Sequence, residues 1–320
     1  MKTSLESYDV AVITVNYNSS DSTRTCVAAL NLTKPANLTL KIIIVDNNSS
    51  PEEFEKLLTL KDDPNITIVR NKINSGFASA NMLGVNCVNA KYYFFLNNDC
   101  VVQPGCLFEL KKFADAELRG GMFSPHFVDR NLQPIPSFDF FPEILSKFLG
   151  RGVFFFLRGP DYHSRKQLPS RPIMVDVLSG SHMFVRASAF HAIGGFDTNF
   201  FLYCEEEDLA LRMARAGYAR FLVPTALNYH VGGVSTLRTV DIKKEFLISF
   251  LYLYRKHYGA WKTQLLKIFL MLRYLRRSFT EPDSWPLVVF VALGAPMALS
   301  FRHKQVMIRL KTHGVNWSGN

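Results

Sequence analysis

The sequence predicts an α/β protein with a doubly wound, mostly parallel sheet and a helical C-terminal tail. Three observations predict it. Short β-branched runs alternate with helical stretches through roughly the first hundred residues, polar residues gather where each run ends, and the basic excess sits in the last quarter of the chain. Alternation of strand and helix patterns is the signature of βαβ units around a parallel sheet.

Taken in order, residues 10–15 (Val-Ala-Val-Ile-Thr-Val) form a continuous apolar run, as a strand buried on both faces requires. A helix over 21–30 follows, opened by a Ser/Asp cap. Residues 41–45 are a second buried strand that ends in the polar stretch 46–50, and 51–60 is a helix with Pro51 in its first turn. A strand over 66–69, a helix over 76–89 and a strand over 92–96 complete the alternation. In a doubly wound sheet the edge where strands end and helices begin is the ligand crevice.

Beyond residue 120 the pattern loosens. Residues 137–162 are rich in Phe, Pro and Gly and read either as a lid over a site or as a hydrophobic excursion packed on the sheet. The stretch Val175-Asp176-Val177-Leu178 and a Gly/Ser turn, a helix over 187–193, an acidic helix start at Glu205-Glu206-Glu207-Asp208 and a strand-like run over 221–224 follow.

The chain has 320 residues, 48% hydrophobic and 20% charged, which is the composition of a globular protein. Its first nine residues are polar and the first apolar run is too short for a signal peptide, so the chain is expected to start in the cytosol. Five cysteines with no C-x-x-C pair read as reduced thiols. The net charge of +10 belongs to the tail, where 14 Lys/Arg stand against 4 Asp/Glu from Arg238 onward. Such tails meet phosphates on nucleic acid or lipid. Here aliphatics, not aromatics, interleave the cations, which argues against nucleic acid.

Rival chemistries lack their motifs. There is no G-x-x-x-x-G-K, no G-x-G-x-x-G after a strand and no G-x-S-x-G. What the chain carries instead is carboxylates and amides at successive strand ends: Asp46, and Asn97-Asn98-Asp99. A hard divalent ion bridging a diphosphate needs oxygen ligands of this kind, although Asn-Asn-Asp alone also makes an ordinary turn.

The motifs Val15-Asn16-Tyr17-Asn18, Val45-Asp46-Asn47-Asn48-Ser49, Asn74-Ser75-Gly76-Phe77-Ala78 and Leu96-Asn97-Asn98-Asp99 resemble the nucleotide-sugar half of family 2 inverting glycosyltransferases. Leu178-Ser179-Gly180, Gly194-Gly195-Phe196-Asp197 and the stretch from Phe201 to Leu209 resemble the acceptor half. By look the chain is similar to bacterial rhamnosyltransferases and galactofuranosyltransferase-like polysaccharide enzymes.

The resemblance implies a GT-A fold, with residues 1–120 binding the nucleotide sugar, 121–237 the acceptor and 238–320 associating with membrane. It implies a dTDP- or UDP-linked donor, with dTDP-rhamnose the first guess, a lipid-linked saccharide or polysaccharide acceptor, and Mg²⁺ or Mn²⁺ as cofactor. Thr14, Asn16 and Asp46 would hold base and ribose. Asn48, Gly76, Phe77, Asn81, Asn97, Asn98 and Gly180 would complete the donor site, with Asp99 as metal ligand. Asn97 departs from the family's D-x-D-like element. In the family an Asp is the general base; Glu206 takes that slot here, with Glu205 before it and Asp208 two residues on, the latter expected to turn back as a brace. The same acids also read as a helix start complementing the macrodipole. His230 is a second metal ligand by resemblance, or a structural histidine. A catalytically inactive, nucleotide-sugar-binding scaffold is the alternative.

In the tail, residues 262–278 place Lys262, Arg273, Arg276 and Arg277 on one side of a helix and mostly aliphatics on the other, with Leu266 and Phe269 intruding. That is either an interfacial helix on anionic lipid or a helix packed on the catalytic domain. Residues 284–301 carry no charge and contain two prolines, as in a segment lying in or dipping into a bilayer. The expected location is the cytoplasmic side of the inner membrane, peripheral or monotopic. Deleting the chain from Lys262 onward is expected to leave donor chemistry intact.

Overall fold

The structure is a computed structural model that describes residues 7–129, 133–143, 165, 168–230 and 239–307. Its centre is a mixed sheet. Strands β1 (Ser7–Asn16), β2 (Leu40–Asp46), β3 (Ile66–Arg70) and β4 (Asn89–Leu96) are mutually parallel. Helices α1 (Ser20–Thr33), α2 (Pro51–Leu58) and α3 (Gly76–Val85) connect them. Next come β5 (Cys100–Val102), α4 (Cys106–Ala116), β6 (Gly120–Val128) and the short β7 (Pro134–Ile135), β8 (Phe138–Asp139), β9 (Ile173–Met174) and β10 (Val177–Leu178). Strand β11 (His182–Arg186), α5 (Ala187–Ala192), α6 (Glu205–Arg215) and β12 (Ala219–His230) complete the sheet region. The strand order is β3-β2-β1-β4-β11-β6-β12-β5.

Period-two alternation builds two cores. On β1, Val10 and Val12 pack with Val27, Leu30 and Leu110 of α1 and α4, whereas Ala11 and Ile13 pack with α3, α5 and α6 on the opposite face. This is why the middles of β1, β2 and β4 are almost wholly apolar. After β1 the chain winds outward to β2 and β3 and returns to the other side of β1 as β4. The switch point therefore lies at the ends of β1 and β4, where an α/β sheet opens a crevice.

The predicted elements hold, with corrections at their ends. The helix expected over 76–89 stops at Val85, because Asn89 already pairs in β4 opposite Ser7. Within the stretch 175–178 only Val177–Leu178 is strand, and β12 starts at Ala219 and runs six residues past the predicted end at 224 to reach His230, with a register shift after Val223. The described part of the Phe-rich stretch packs on the core through Phe138, Phe140 and Phe141; Phe154, Phe155 and Phe156 lie outside the described residues. The Ser/Asp cap of α1 is not formed: Ser19 Oγ accepts instead from Asn98 Nδ2 at 2.6 Å. Four cysteines are buried and Cys87 is exposed, all reduced.

The C-terminal region differs most from expectation. Helix α7 runs Val240–Ser278, broken only at Gly259, whose φ of 81° falls in the left-handed region. Its first half is core: Leu247, Ile248, Leu251, Leu253 and Tyr254 are buried. Its second half packs on α8 (Trp285–Ala292). Leu266 and Leu270 are buried in the same core cluster as Leu287 and Val291. Leu266, which breaks the basic face in the sequence pattern, is thus the docking residue. The uncharged segment becomes this eight-residue helix and short 3-10 turns. No helix among the described residues is long and apolar enough to cross a membrane.

Candidate functional site

A cleft of about 480 Å³ opens at the switch point. Val15, Tyr17 and Ser19 line it after β1, Asn47 after β2, Asn74, Gly76 and Phe77 before and within α3, and Asn97, Asn98 and Asp99 after β4. Phe201, Leu202, Ile242, Phe301 and Gln305 close it from the C-terminal side. Of the residues singled out in the sequence, Gly76, Phe77, Asn97, Asn98 and Asp99 thus meet in one cavity.

Thr14, Asn16 and Asp46, expected to hold base and ribose, are not among the residues that line it. All three are fully buried at their strands' ends. Asn16 Nδ2 donates to Asp46 Oδ1 and to Ser49 Oγ, each at 3.0 Å, and accepts from Thr23 Oγ1 at 2.8 Å. Asp46 Oδ2 is 3.4 Å from Arg70 Nε and accepts the Ser49 amide. A carboxylate buried on a doubly covered strand needs such partners, so Asp46 holds the loop after β2 in place. Thr14 Oγ1 has no partner among the described residues.

The residue that does face the cleft is Asn47, which the sequence reading passed over for Asn48. Asn47 Oδ1 accepts from Asn71 Nδ2 and the Ser75 amide at 2.9 and 3.0 Å, and Nδ2 donates to Asn74 Oδ1 at 2.8 Å. Asn48 sits at φ 70° and donates to Val306 O at 3.1 Å. Asn81 is buried, bonded to Phe77 O of its own helix.

At the start of α3, a place where free N–H groups could meet a diphosphate, the amides of Ser75, Gly76 and Phe77 are already taken, donating to Asn47 Oδ1, Asn74 Oδ1 and Phe201 O. Gly76 is required by this contact, since a Cβ there would stand 2.3 Å from Phe201 O and its φ is 81°. The close approach is by the chain's own backbone.

Around Asp99, the Asn97 amide donates to Ser181 O at 2.9 Å, and Asn98 Nδ2 ties the loop to Ser19 and Thr23. The His230 backbone pairs with Cys100 beside Asp99; its side chain lies outside the described residues. No group of three or more His, Cys, Asp or Glu assembles among the described residues. One carboxylate in an open cleft beside two asparagines suits a hard ion that arrives with phosphate oxygens and water as its other ligands. The residues fit such an ion, without forming a cage.

The acidic helix start is separately built. Tyr203 and Cys204 both adopt left-handed φ, 73° and 65°, a strained turn that starts α6 at Glu205. The Glu206 carboxyl faces Gly180, next to the serine that receives Asn97. Burial raises the Glu206 pKa, and burial with the Glu206 charge raises those of Glu205 and Glu207 well above the ordinary range. Glu205 Oε2 and Glu207 Oε2 have no hydrogen-bond partner among the described residues. Asp208 is set apart. It is fully buried, with Arg212, Lys256 and His257 at 2.7, 2.6 and 2.7 Å. Burial pushes its pKa up, but these partners outweigh burial and hold it at about 2. It braces α6 against α7.

Such a sheet, with amides and a carboxylate in a cleft at the switch point, defines an α/β protein with the ligand crevice of a doubly wound fold. The family model described as glycosyl transferase family 2 matches residues 11–189, and the chain belongs to that family. It is a glycosyltransferase related to rhamnosyltransferases. It is 27% identical over 277 residues to N-acetylglucosaminyl-diphospho-decaprenol L-rhamnosyltransferase of Mycobacterium tuberculosis, covering 79% of this chain and 87% of that protein. It is 31% identical over 172 residues to rhamnosyltransferase WbbL of Escherichia coli, covering 48% and 61%. Among solved structures it is similar to the mannosyltransferase PcManGT of Pyrobaculum calidifontis with GDP-Man and Mn²⁺, at TM-score 0.56 and 14% identity over 95% of this chain and 86% of that one. GalNAc-T7 with UDP, GalNAc and Mn²⁺ matches at TM-score 0.57 and 14% identity, over 79% of this chain and 50% of that one. At this identity the structural likeness speaks for the fold alone.

Proposed function

We propose that the protein is an inverting glycosyltransferase that moves a sugar, L-rhamnose from dTDP-rhamnose as the first choice, to a lipid-linked or polysaccharide acceptor. One observation carries this reading: the Asp99 loop and Glu206 meet across Ser181 and Gly180, so a donor in the cleft would present its sugar to a half-buried carboxylate. The two rhamnosyltransferase relatives support the choice of sugar, and the decaprenol in one name supports a lipid-linked acceptor.

In this reading residues 1–120 hold the donor and 121–237 the acceptor. Asn47, Phe77, Asn97 and Asn98 contact the nucleotide, while Thr14, Asn16, Asp46 and Asn81 shape the floor from beneath. Glu206 takes the proton of the acceptor hydroxyl as its oxygen attacks the anomeric carbon. The bond from that carbon to the diphosphate breaks, and the nucleoside diphosphate leaves with the electron pair. Mg²⁺ or Mn²⁺ held by Asp99, with His230 as a second ligand, would neutralise charge on the leaving diphosphate.

The enzyme works, we infer, at the cytoplasmic face of the inner membrane. Trp261, Ile268, Leu272 and Phe279 are all exposed and fall within about 20° of one line along α7. Arg273 and Arg276 flank that stripe in a surface groove with Leu272 and Phe279. An apolar stripe edged by cations suits an anionic lipid surface.

The test is transfer from dTDP-rhamnose and a panel of UDP-sugars to a polyprenyl-diphosphate-linked saccharide, with and without Mn²⁺ or Mg²⁺. Nucleotide binding without transfer or hydrolysis of any donor would establish the inactive scaffold instead.

A further inference from the structure

The segment that closes the donor cleft comes from the far end of the chain. A 3-10 turn, Phe301–Lys304, and Gln305 behind it lie against the loops of both halves. Phe301 packs edge-on against Phe201, ring centroids 6.3 Å apart, in the loop whose carbonyl receives the Phe77 amide. Arg302 donates to Thr198 O in the same loop. On the other side Val306 O accepts from Asn48, 258 residues earlier, at the end of β2.

The turn is fastened by a buried carboxylate. Glu245 of α7 is 2% exposed, and accepts from Ser300 Oγ at 2.7 Å and from the Phe301 amide at 2.8 Å. A buried carboxylate satisfied by one backbone N–H and one hydroxyl fixes the strap's position with charge-assisted bonds. Gln305 Nε2 donates to Phe301 O at 2.8 Å, which sets its side chain on the cleft wall.

We propose that this strap is part of the donor site, with Phe301 and Gln305 contacting a bound nucleoside diphosphate and Glu245 acting as their positioning residue. The inference rests on the glycosyltransferase reading of the cleft. An aromatic ring and a carboxamide are the groups that stack on a base or ribose and hydrogen-bond its polar edge. Because the strap bridges both halves, donor binding and strap docking stabilise one another by the same factor. The region is therefore not a separable membrane tail. Deletion from Lys262 onward would remove Phe301 and Gln305, so on this proposal it should weaken donor binding, against the expectation that donor chemistry survives it.

The experiment is calorimetric binding of UDP and of dTDP, each with Mn²⁺, to the full chain. Lost stacking and one lost hydrogen bond together amount to about tenfold or more in Kd for Phe301→Ala/Gln305→Ala. His303→Ala, on the exposed side of the turn, should bind like wild type. Glu245→Gln should raise the donor KM with kcat little changed, and nucleotide should slow hydrogen exchange at the Phe301 amide in wild type but not in this variant. A folded double variant that binds both nucleotides within about twofold of wild type overturns the proposal. Wild-type protein that binds neither nucleotide overturns the underlying reading of the cleft, and the proposal with it.

Discussion

The Glu206 carboxyl carbon lies 3.4 Å from the position a Cβ on Gly180 would take. The next residue, Ser181, receives the Asn97 amide. An acidic helix start more than 100 residues from the Asn97–Asp99 loop is thereby placed beside the residue bonded to it, and the predictions for Glu206, Asp99 and Asp208 depend on that placement or on what braces it.

Glu206→Gln should lower transfer by about 10²–10⁴-fold, the usual cost of losing a general base. UDP or dTDP affinity should stay at the wild-type level, because the base acts on the acceptor hydroxyl. Steady-state rates beside a binding titration check both halves. Normal transfer by this variant, with Glu205→Gln or Glu207→Gln dead, would reassign the base.

The pH dependence follows from burial. A base works deprotonated, and burial raises the Glu206 pKa above 4.5. The kcat profile should therefore fall on acidification with a midpoint above the ordinary carboxylate range. A rate that stays flat down to pH 4.5 would remove Glu206 from that role.

Asp99→Asn keeps the size and removes the charge at the end of β4. Transfer should be lost, along with the Mn²⁺-dependent part of nucleotide binding, while thermal unfolding stays close to wild type. Metal-enhanced binding that persists in the variant would place the ion elsewhere.

Asp208→Asn should instead cost stability, about 3 kcal/mol or more, because it leaves Arg212 and Lys256 facing a neutral amide. The contribution of Asp208 is fully present above its unfolded value of 3.8 and is lost as pH falls through about 2. Urea unfolding of variant and wild type should differ at pH 7 and converge toward pH 2. An equal midpoint at pH 7 would mean the ion cluster contributes nothing net.

Ile268→Gln/Leu272→Gln/Phe279→Ser should abolish most sedimentation with vesicles containing phosphatidylglycerol, without touching the cleft. High salt should weaken wild-type binding only in part, since apolar burial adds to charge attraction. Undiminished sedimentation of the triple variant would exclude the stripe as the contact.

The parallel half of the sheet was legible because its strands are covered on both faces and so are almost wholly apolar, as Val10 to Ile13 and Ile42 to Val45 show. Strand ends were legible because the apolar run stops there, which brought Asn97, Asn98 and Asp99 to the right edge, although the polar residues that end β1 and β2, Asn16 and Asp46, are themselves buried. The sequence could not say which polar residue faces ligand and which faces protein. Asp46 and Asn47 are neighbours, yet one is committed to Asn16 and Arg70 and the other lines the cleft. Side chains alternate along a strand, and only the packed neighbours fix which face is which. Nor could it place Phe301 and Gln305 in the donor cleft, because their role depends on a contact with Glu245 fifty-five residues away and on Asn48 at the opposite end of the chain. Local pattern determined the sheet and its reactive edge. The folding of the C-terminal helices back onto that edge, driven by burial of Leu247, Leu251 and Tyr254, decided which residues close the site.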